Sequence, residues 1–399
     1  MNPRSRASRW LWALLLAWSV VCSVGVSLAA TPHKPRALEL LVFGLDDDVF
    51  SRYGHVAVRV VEPDGRDRVF NFGVTSFNRP GYVAEFLEGR VKFWGKESSW
   101  ARTVDGYKKA DRDIVRHSLR LTPTQADTLV ARMEHDVLPE NREYIYDTFR
   151  ENCATRLRDY LDDVTGGAVR RGVASAPLGA RYRDDVRAAF ATLPALLFGL
   201  ELVAGPEFER PRALWERMYH PHTLAEGLVT AGIAEPGRSE FNRAAPPTWN
   251  GDPMTGVWMT LGLAAALGAA GAWALRRPTA RTLAWVGGVG ATLSGLLGLL
   301  LTVIALGSNW PDMQGNALLV IILPTDWLLL RSARAAWRGA LVPDRIRTLY
   351  LDYRLCAALA LAALTPCVDA LDAPLGQRAL AVALAFVTWA TLRGPRSTP

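Results

Sequence analysis

The chain has 399 residues, which is more than one ordinary domain needs, and half of them are hydrophobic. Its formal net charge of +7 does not indicate a nucleic-acid partner, because many of its arginines lie beside apolar stretches in the C-terminal part. The four cysteines form no disulfide framework, since Cys153 alone lies in the polar part of the chain. These features favour a membrane protein with one soluble domain.

The N-terminal segment carries a targeting pattern. Arg4, Arg6 and Arg9 precede an apolar run at residues 10–26, and Ser27-Leu28-Ala29 offers small residues where a signal peptidase cleaves. Residues 1–30 are therefore predicted to be either a signal peptide or an uncleaved membrane anchor. Both alternatives carry the residues that follow out of the cytoplasm.

Residues 31–250 are polar, charged and rich in turns, which predicts a soluble extracytoplasmic domain. Residues 37–45 predict a buried strand, and residues 54–61 and 68–74 alternate like two paired strands. His55 and Asn71 share the face opposite the valines and phenylalanines of that pair, so we expect them to lie close together. Asn71 is then a candidate to orient the imidazole, the alternative being a bond to a neighbouring loop.

Cys153 follows a good helix N-cap residue, Asn152. Leu157, Tyr160 and Leu161 form the apolar stripe of the predicted helix. Cys153 is thus expected at a helix N-terminus, where the backbone dipoles favour the thiolate and lower the thiol pKa.

A cysteine on a helix start and an upstream histidine on a strand form the pair found in papain-like enzymes, in the order of circularly permuted versions. Taken singly, Cys153 is explained as a buried structural thiol and His55 as a strand-end histidine; together they favour a catalytic pair. The pair His220 and His222 lacks a carboxylate or cysteine at metal-ligand spacing. We therefore predict no metal and no other cofactor.

The composition changes sharply after Pro253, and residues 254–394 are predicted to form an α-helical membrane domain of about five spans. Before it, the apolar stretch at residues 193–204 is either a buried helix or a segment against the membrane. Of the five apolar stretches, the first two are long enough to cross a bilayer and the last three are shorter. The five cover residues 257–275, 283–306, 317–330, 349–364 and 379–392.

Arginines cluster in alternate loops of the membrane domain, at residues 276–281, 331–347 and 393–396. The loops 307–315 and 367–376 carry only aspartates as charged residues. Because positively charged loops stay in the cytoplasm, we expect a multi-pass inner-membrane protein with its soluble domain in the periplasm and its C-terminus in the cytoplasm. The sequence does not set an oligomeric state.

A set of short motifs in the soluble domain matches one known family. The motifs are Tyr53-Gly54-His55, Phe70-Asn71-Phe72-Gly73, Tyr144-Ile145-Tyr146, Asn152-Cys153-Ala154-Thr155-Arg156-Leu157-Arg158-Asp159 and Leu214-Trp215-Glu216. Together they resemble the Lnb-type extracytoplasmic domain, a lipoprotein intramolecular transacylase-like family, over most of residues 35–230. The resemblance implies an α+β fold, permuted papain-like (NlpC-like), followed by the α-helical membrane domain.

The resemblance also implies residue roles. Cys153 would take an acyl chain as a thioester and His55 would be its base, while Asn71 stays the candidate third catalytic group from strand alternation. The acyl chain would move from the glyceryl moiety of a diacylglyceryl-cysteine to the amino group of that cysteine. The residues implied to line the site are Tyr53, Asn152, Thr155 and Arg156.

The predicted function is therefore membrane-bound acyl transfer by a Cys–His pair, with a membrane lipid or lipoprotein as substrate. One alternative is a cysteine peptidase or amidase acting on cell-wall peptide, which has no need for several membrane spans. Another is a non-enzymatic membrane sensor, for which Cys153→Ser leaves function intact.

Overall fold

The computed structural model describes residues 36–46, 48, 51–245, 251–365 and 373–394, so the predicted signal peptide or anchor lies outside the described residues. Within them the strands are β1 (Ala37–Phe43), β2 (His55–Val61), β3 (Asp67–Val74), β4 (Lys92–Ser99), β5 (Ile114–Ser118), β6 (Glu143–Ile145) and β7 (Arg238–Phe241). The helices of the soluble part are α1 (Tyr82–Leu87), α2 (Trp100–Lys109), α3 (Pro123–Asp136), α4 (Cys153–Val164), α5 (Ala168–Val173), α6 (Tyr182–Ala189), α7 (Pro194–Val203), α8 (Leu214–Arg217) and α9 (Pro221–Thr230). Those of the membrane part are α10 (Thr255–Arg276), α11 (Ala280–Gly307), α12 (Leu329–Trp337), α13 (Arg345–Leu364) and α14 (Leu375–Leu392).

The strands form one antiparallel sheet in the order β6-β4-β3-β2-β1-β5-β7. The three strands predicted first along the chain are confirmed as β1, β2 and β3 at the centre of this sheet. In the pairing of β2 with β3, Ala57 lies opposite Asn71. The same register, continued, brings the start of β2 beside the end of β3, where Gly73 lies.

Both faces of the sheet are covered. On one face the valines of β2 and the phenylalanines of β3 pack on α3 and α4, with Leu157 and Leu161 of α4 fully buried. On the other face, Trp100, Val104 and Tyr107 of α2 pack against the sheet. The α+β class is therefore confirmed for the soluble part, whereas a permuted papain-like topology stays a prediction. Packing of α4 on β2 and β3 carries its first residue, Cys153, to the end of the sheet where β2 begins.

In the described part of the membrane domain, three helices are long and apolar enough to cross a membrane: α10, α11 and α14. They correspond to the first, second and fifth predicted spans. The fourth stretch is the helix α13, but Arg347, Asp352 and Arg354 lie within it and make it too polar to match the other three.

The prediction that residues 317–330 form one helix is wrong. The chain there makes two 3₁₀ turns, Ala317–Val320 and Pro324–Leu328, before α12 begins. Pro324 explains the break, because proline lacks an N–H and disfavours a helical conformation of the residue before it. The broken segment still runs antiparallel to α11, whose glycines Gly298 and Gly295 leave room for Leu323 and Trp327.

Candidate functional site at the end of the central hairpin

Cys153 is the first residue of α4, as predicted, and Asn152 is its N-cap. The Asn152 side-chain oxygen accepts hydrogen bonds from the N–H groups of Ala154 and Thr155, both at 2.9 Å. In return the Asn152 N–H donates to the Thr155 hydroxyl at 2.7 Å. This reciprocal capping fixes the start of the helix and thus the position of the thiol.

His55 is the first residue of β2, and its Nε2 lies 2.7 Å from the Asn71 side-chain oxygen on β3. An amide oxygen can only accept, so Nε2 carries the proton in this bond and Nδ1 is left as an acceptor. The strand alternation that predicted His55 and Asn71 to be neighbours thus gave the right placement. The hydrogen bond fixes both the tautomer and the orientation of the ring.

Gly73 lies where His55 and Cys153 meet. A Cβ added to Gly73 would lie 2.7 Å from Cε1 and 3.4 Å from Nδ1 of His55, and 3.5 Å from Cβ of Cys153. The two side chains therefore approach one common point, which stays free because this residue has no side chain. The sequence places Gly73 at the end of a family motif, but it does not mark this residue as the point where the two side chains meet.

Burial governs the electrostatics of the pair. It lowers the pKa of His55 to about 4, against the opposing effect of the Asn71 bond and with a smaller contribution from the nearby positive charge of Arg112. Burial also raises the pKa of the Cys153 thiol to about 11, although backbone hydrogen bonds from Val56 and Ala154 act in the other direction. The expectation of a lowered thiol pKa is therefore wrong, because loss of water outweighs the helix dipole. At neutral pH both groups are uncharged.

Arg112, which was not among the predicted site residues, supplies a positive charge beside the pair. The residue is only 7% exposed, and its Nε donates to the Gly44 carbonyl at 2.9 Å. The guanidinium lies over the Tyr107 ring, and Nη2 has no hydrogen-bond partner among the described residues. No periodicity or motif singles out Arg112, since its position follows from the pairing of β1 with β5.

A cavity of about 530 Å³ adjoins the pair. Its polar end includes Tyr53, His55, Asn71 and Arg112, while Cys153 lies close to the lining residue Gly73 and is not itself among the described lining residues. Its other walls are mostly apolar, formed by Phe77, Tyr82, Val83, Phe86, Phe93, Phe149, Val186, Phe190, Leu196, Leu200, Phe208, Trp310 and Met313. The cavity therefore joins a chemically reactive end to a long hydrophobic surface.

Of the four residues implied to line the site, the structure places Tyr53 in the cavity wall. The Tyr53 hydroxyl is buried and has no hydrogen-bond partner within the described chain. The other three are not among the described lining residues: Asn152 and Thr155 are buried in the helix cap, and Arg156 pairs with Glu151 at 2.6 Å. These three side chains fix the start of α4.

The membrane part contributes directly to the cavity. The loop after α11 supplies Trp310, Asp312 and Met313, and Arg150 of the soluble part binds the buried Asp312 carboxylate through two bonds of 2.7 and 2.8 Å. The helix α7, predicted to be either buried or set against the membrane, packs on α10 and also lines the cavity. The site is therefore built at the junction of the two parts.

No group of three or more histidine, cysteine, aspartate or glutamate side chains in the described residues is arranged to hold a metal ion. The reactive groups in the cavity lining are instead a neutral imidazole with an acceptor nitrogen and a buried guanidinium, and the Cys153 thiol belongs to a residue next to the lining residue Gly73. Such an arrangement is suited to nucleophilic attack with proton transfer.

Comparison with known proteins identifies the N-terminal part. Residues 34–190 match the family model described as the Lnb N-terminal periplasmic domain, so the resemblance is confirmed and this part of the chain is an Lnb-type domain. The match contains His55, Asn71 and Cys153 and ends before α7. A search of curated proteins and a search of solved structures each gave no match.

Proposed function

We propose that this Lnb-domain protein is a membrane-bound thiol acyltransferase that forms a thioester on Cys153 and acts on the acyl ester of a lipoprotein or membrane lipid. The observation that carries the proposal is the cavity, which runs from His55 and Asn71 to apolar residues of α7 and of the loop after α11. An acyl chain fits such a surface, and the ester at its head would meet the Cys–His pair.

In the first step, Sγ of Cys153 attacks the ester carbonyl while Nδ1 of His55 takes the thiol proton. Because the thiol and imidazole are both neutral at rest, proton transfer accompanies the attack. The negative oxygen of the tetrahedral intermediate is stabilised by the Cys153 N–H at the helix start, with the Arg112 charge close by. The intermediate collapses to a thioester, and the imidazolium returns the proton to the leaving alkoxide.

In the second step an amine attacks the thioester carbonyl and Nδ1 of His55 takes a proton from it. The C–S bond breaks, an amide forms, and the proton returns to the sulfur of Cys153. Water in place of the amine gives a free fatty acid by the same route. The Asn71 bond to Nε2 keeps the imidazole in the tautomer that both steps need.

The location of the protein is also part of the proposal. The loop after α11 contacts the soluble domain, whereas the arginine-rich loop between α10 and α11 is at the opposite ends of those helices. With positive loops in the cytoplasm, the soluble domain is in the periplasm, at the outer face of the inner membrane, and the C-terminus is in the cytoplasm.

Two features favour acyl transfer over the alternatives. A peptidase for cell-wall peptide needs a polar groove, whereas the walls of this cavity are mostly apolar. A sensor that only binds its ligand has no use for an imidazole held in one tautomer beside a thiol.

The test is mass spectrometry of the full-length protein purified from membranes. We expect the Cys153 peptide to carry the mass of a fatty acyl group that neutral hydroxylamine removes, because hydroxylamine cleaves thioesters. The Cys356 peptide is the internal control, since Cys356 is an exposed cysteine on α13. Two results together would contradict the proposal. One is that Cys153 carries no acyl group in either the wild type or a His55→Ala variant, and the other is that the wild type leaves lipids intact.

A further inference from the structure

The helix α1 lies between the catalytic cavity and the outer end of α11, and it is fixed to the membrane part. The N–H of Asn309 donates to the Glu88 carbonyl at 2.9 Å, and the indole N–H of Trp310 donates to the Phe86 carbonyl at 2.6 Å. Gly89, with a φ of +65°, permits this close approach. The position of α1 relative to the membrane helix is therefore set by direct hydrogen bonds.

The two sides of α1 face different surroundings. Tyr82 and Phe86 point to the cavity, and the Phe86 ring packs against Trp310. Val83 and Leu87, one helical turn apart, are 69% and 62% exposed, and the neighbouring Phe77 is 45% exposed. We call Phe77, Val83 and Leu87 the α1 lip; two of its members, Phe77 and Val83, also line the cavity.

We infer that the α1 lip is inserted in the outer leaflet of the bilayer and that acyl chains enter the cavity beside it. Three large apolar side chains exposed together mark an interaction surface. The occupant is a lipid because the end of α1 is hydrogen-bonded to the residues directly after α11, whose last turn carries Leu306 at 84% exposure. Exposed Arg90 and Lys92 follow α1 directly and suit the headgroup region.

The inference that the α1 lip contacts the membrane does not depend on the proposed function. The inference that an acyl chain passes to the cavity rests on the proposed function. With an amphipathic surface at this place, a lipid does not have to leave the bilayer. The acyl chain of the lipid moves sideways past Val83 and reaches Phe86 and Phe190. The ester group then lies toward the polar end of the cavity.

The test is photo-crosslinking of the full-length protein in vesicles of phosphatidylcholine that carries a diazirine on its acyl chain. We expect crosslinks in the peptide covering residues 77–87, and none at Leu178, which is 67% exposed but outside the cavity lining. Crosslinks on α11 with none on residues 77–87 would overturn the inference.

A pair of variants tests access to the cavity. Val83→Asp combined with Leu87→Asp should reduce crosslinks at Phe190 and Leu200 by about tenfold, because carboxylates are costly in the acyl region; Leu178→Asp should not. Unchanged cavity crosslinks in the double variant would contradict lateral access. Cys153→Ala should keep every crosslink, so a failure of the proposed chemistry is distinguished from a failure of this inference.

Discussion

Two buried polar clusters, one in each part of the molecule, differ in how completely their hydrogen bonds are made. In the membrane part, Asp326 and Arg354 are fully buried and 2.9 Å apart. Tyr350 donates to the same carboxylate at 2.5 Å, while the guanidinium also binds Ser294 at 2.8 Å and Thr388 at 3.0 Å. In the candidate catalytic cluster, His55 has its bond to Asn71 and keeps Nδ1 as an acceptor, and Arg112 keeps an unpaired Nη2 within the described chain.

The difference distinguishes a cluster that stabilises the fold from a cluster that can interact with a substrate. A charge pair with all its partners in place holds elements together, here the broken segment with α11, α13 and α14, and has nothing left to offer a ligand. In a cluster beside a cavity, donors and acceptors without partners have lost their water and gained no hydrogen bond in return. A substrate can supply the missing hydrogen bonds. We therefore expect substitutions in the membrane cluster to change stability and those in the candidate catalytic cluster to change activity.

The largest expected effect is that of Cys153→Ala on activity. Loss of the nucleophile should lower the rate on the order of 10⁴-fold or more, because both steps use the sulfur. Thermal unfolding in detergent should change little, since alanine suits the first turn of α4. Cys356→Ala, at an exposed cysteine, is the matched control and should keep full activity. An active Cys153→Ala variant would end the covalent mechanism.

The converse effect is expected in the membrane cluster. Asp326→Ala should destabilise the protein by about 3–5 kcal/mol, because Arg354 is left as an uncompensated buried charge. The more exposed pair Asp352–Arg393 is the control, and Asp352→Ala should cost about 1 kcal/mol or less. The loss of stability of each variant is measured by thermal unfolding in detergent.

Replacing both members of the pair sharpens the test. Asp326→Leu with Arg354→Met should recover much of the stability that Asp326→Ala loses, because no unpaired charge remains. Equal losses for Asp326→Ala and Asp352→Ala would show that the membrane cluster does not hold the helices together.

The sequence predicted what depends on local pattern. Strand alternation placed His55 beside Asn71, and capping placed Cys153 at the start of α4. It did not predict Gly73 as the meeting point or Arg112 beside the pair, since these depend on contacts between distant residues. The break at Pro324 was readable in principle but was hidden by apolar composition. The thiol pKa was misjudged because burial of Cys153 is a tertiary property.

A smaller effect is expected for Gly73→Ala. The added methyl group would collide with Cε1 of His55 and displace the ring from Cys153, so activity should fall on the order of 10–100-fold. Gly106→Ala in α2 is the control, because nothing lies within 4 Å of its added Cβ and alanine favours a helix. A Gly73→Ala variant with the activity of the Gly106→Ala variant would show that the ring position is not critical.

The smallest expected effect is on the acid sensitivity of folding. The folded-state pKa of His55, about 4, is below its ordinary value of 6.5, so the unfolded chain binds a proton that the folded site rejects. Stability contributed by neutral His55 is thus present above pH 6.5 and lost as the pH falls toward 4. His55→Gln should make the unfolding temperature less dependent on pH in this window. The corresponding change in the free energy of unfolding is on the order of 1 kcal/mol at pH 5.

His220, whose pKa is also lowered to about 4 by burial, provides the comparison. His220→Gln should remove a similar share of the acid sensitivity without loss of the Cys153 chemistry. If His55→Gln keeps the full pH dependence of the wild type, the imidazole is hydrated in the folded protein and does not form a buried neutral pair with the thiol.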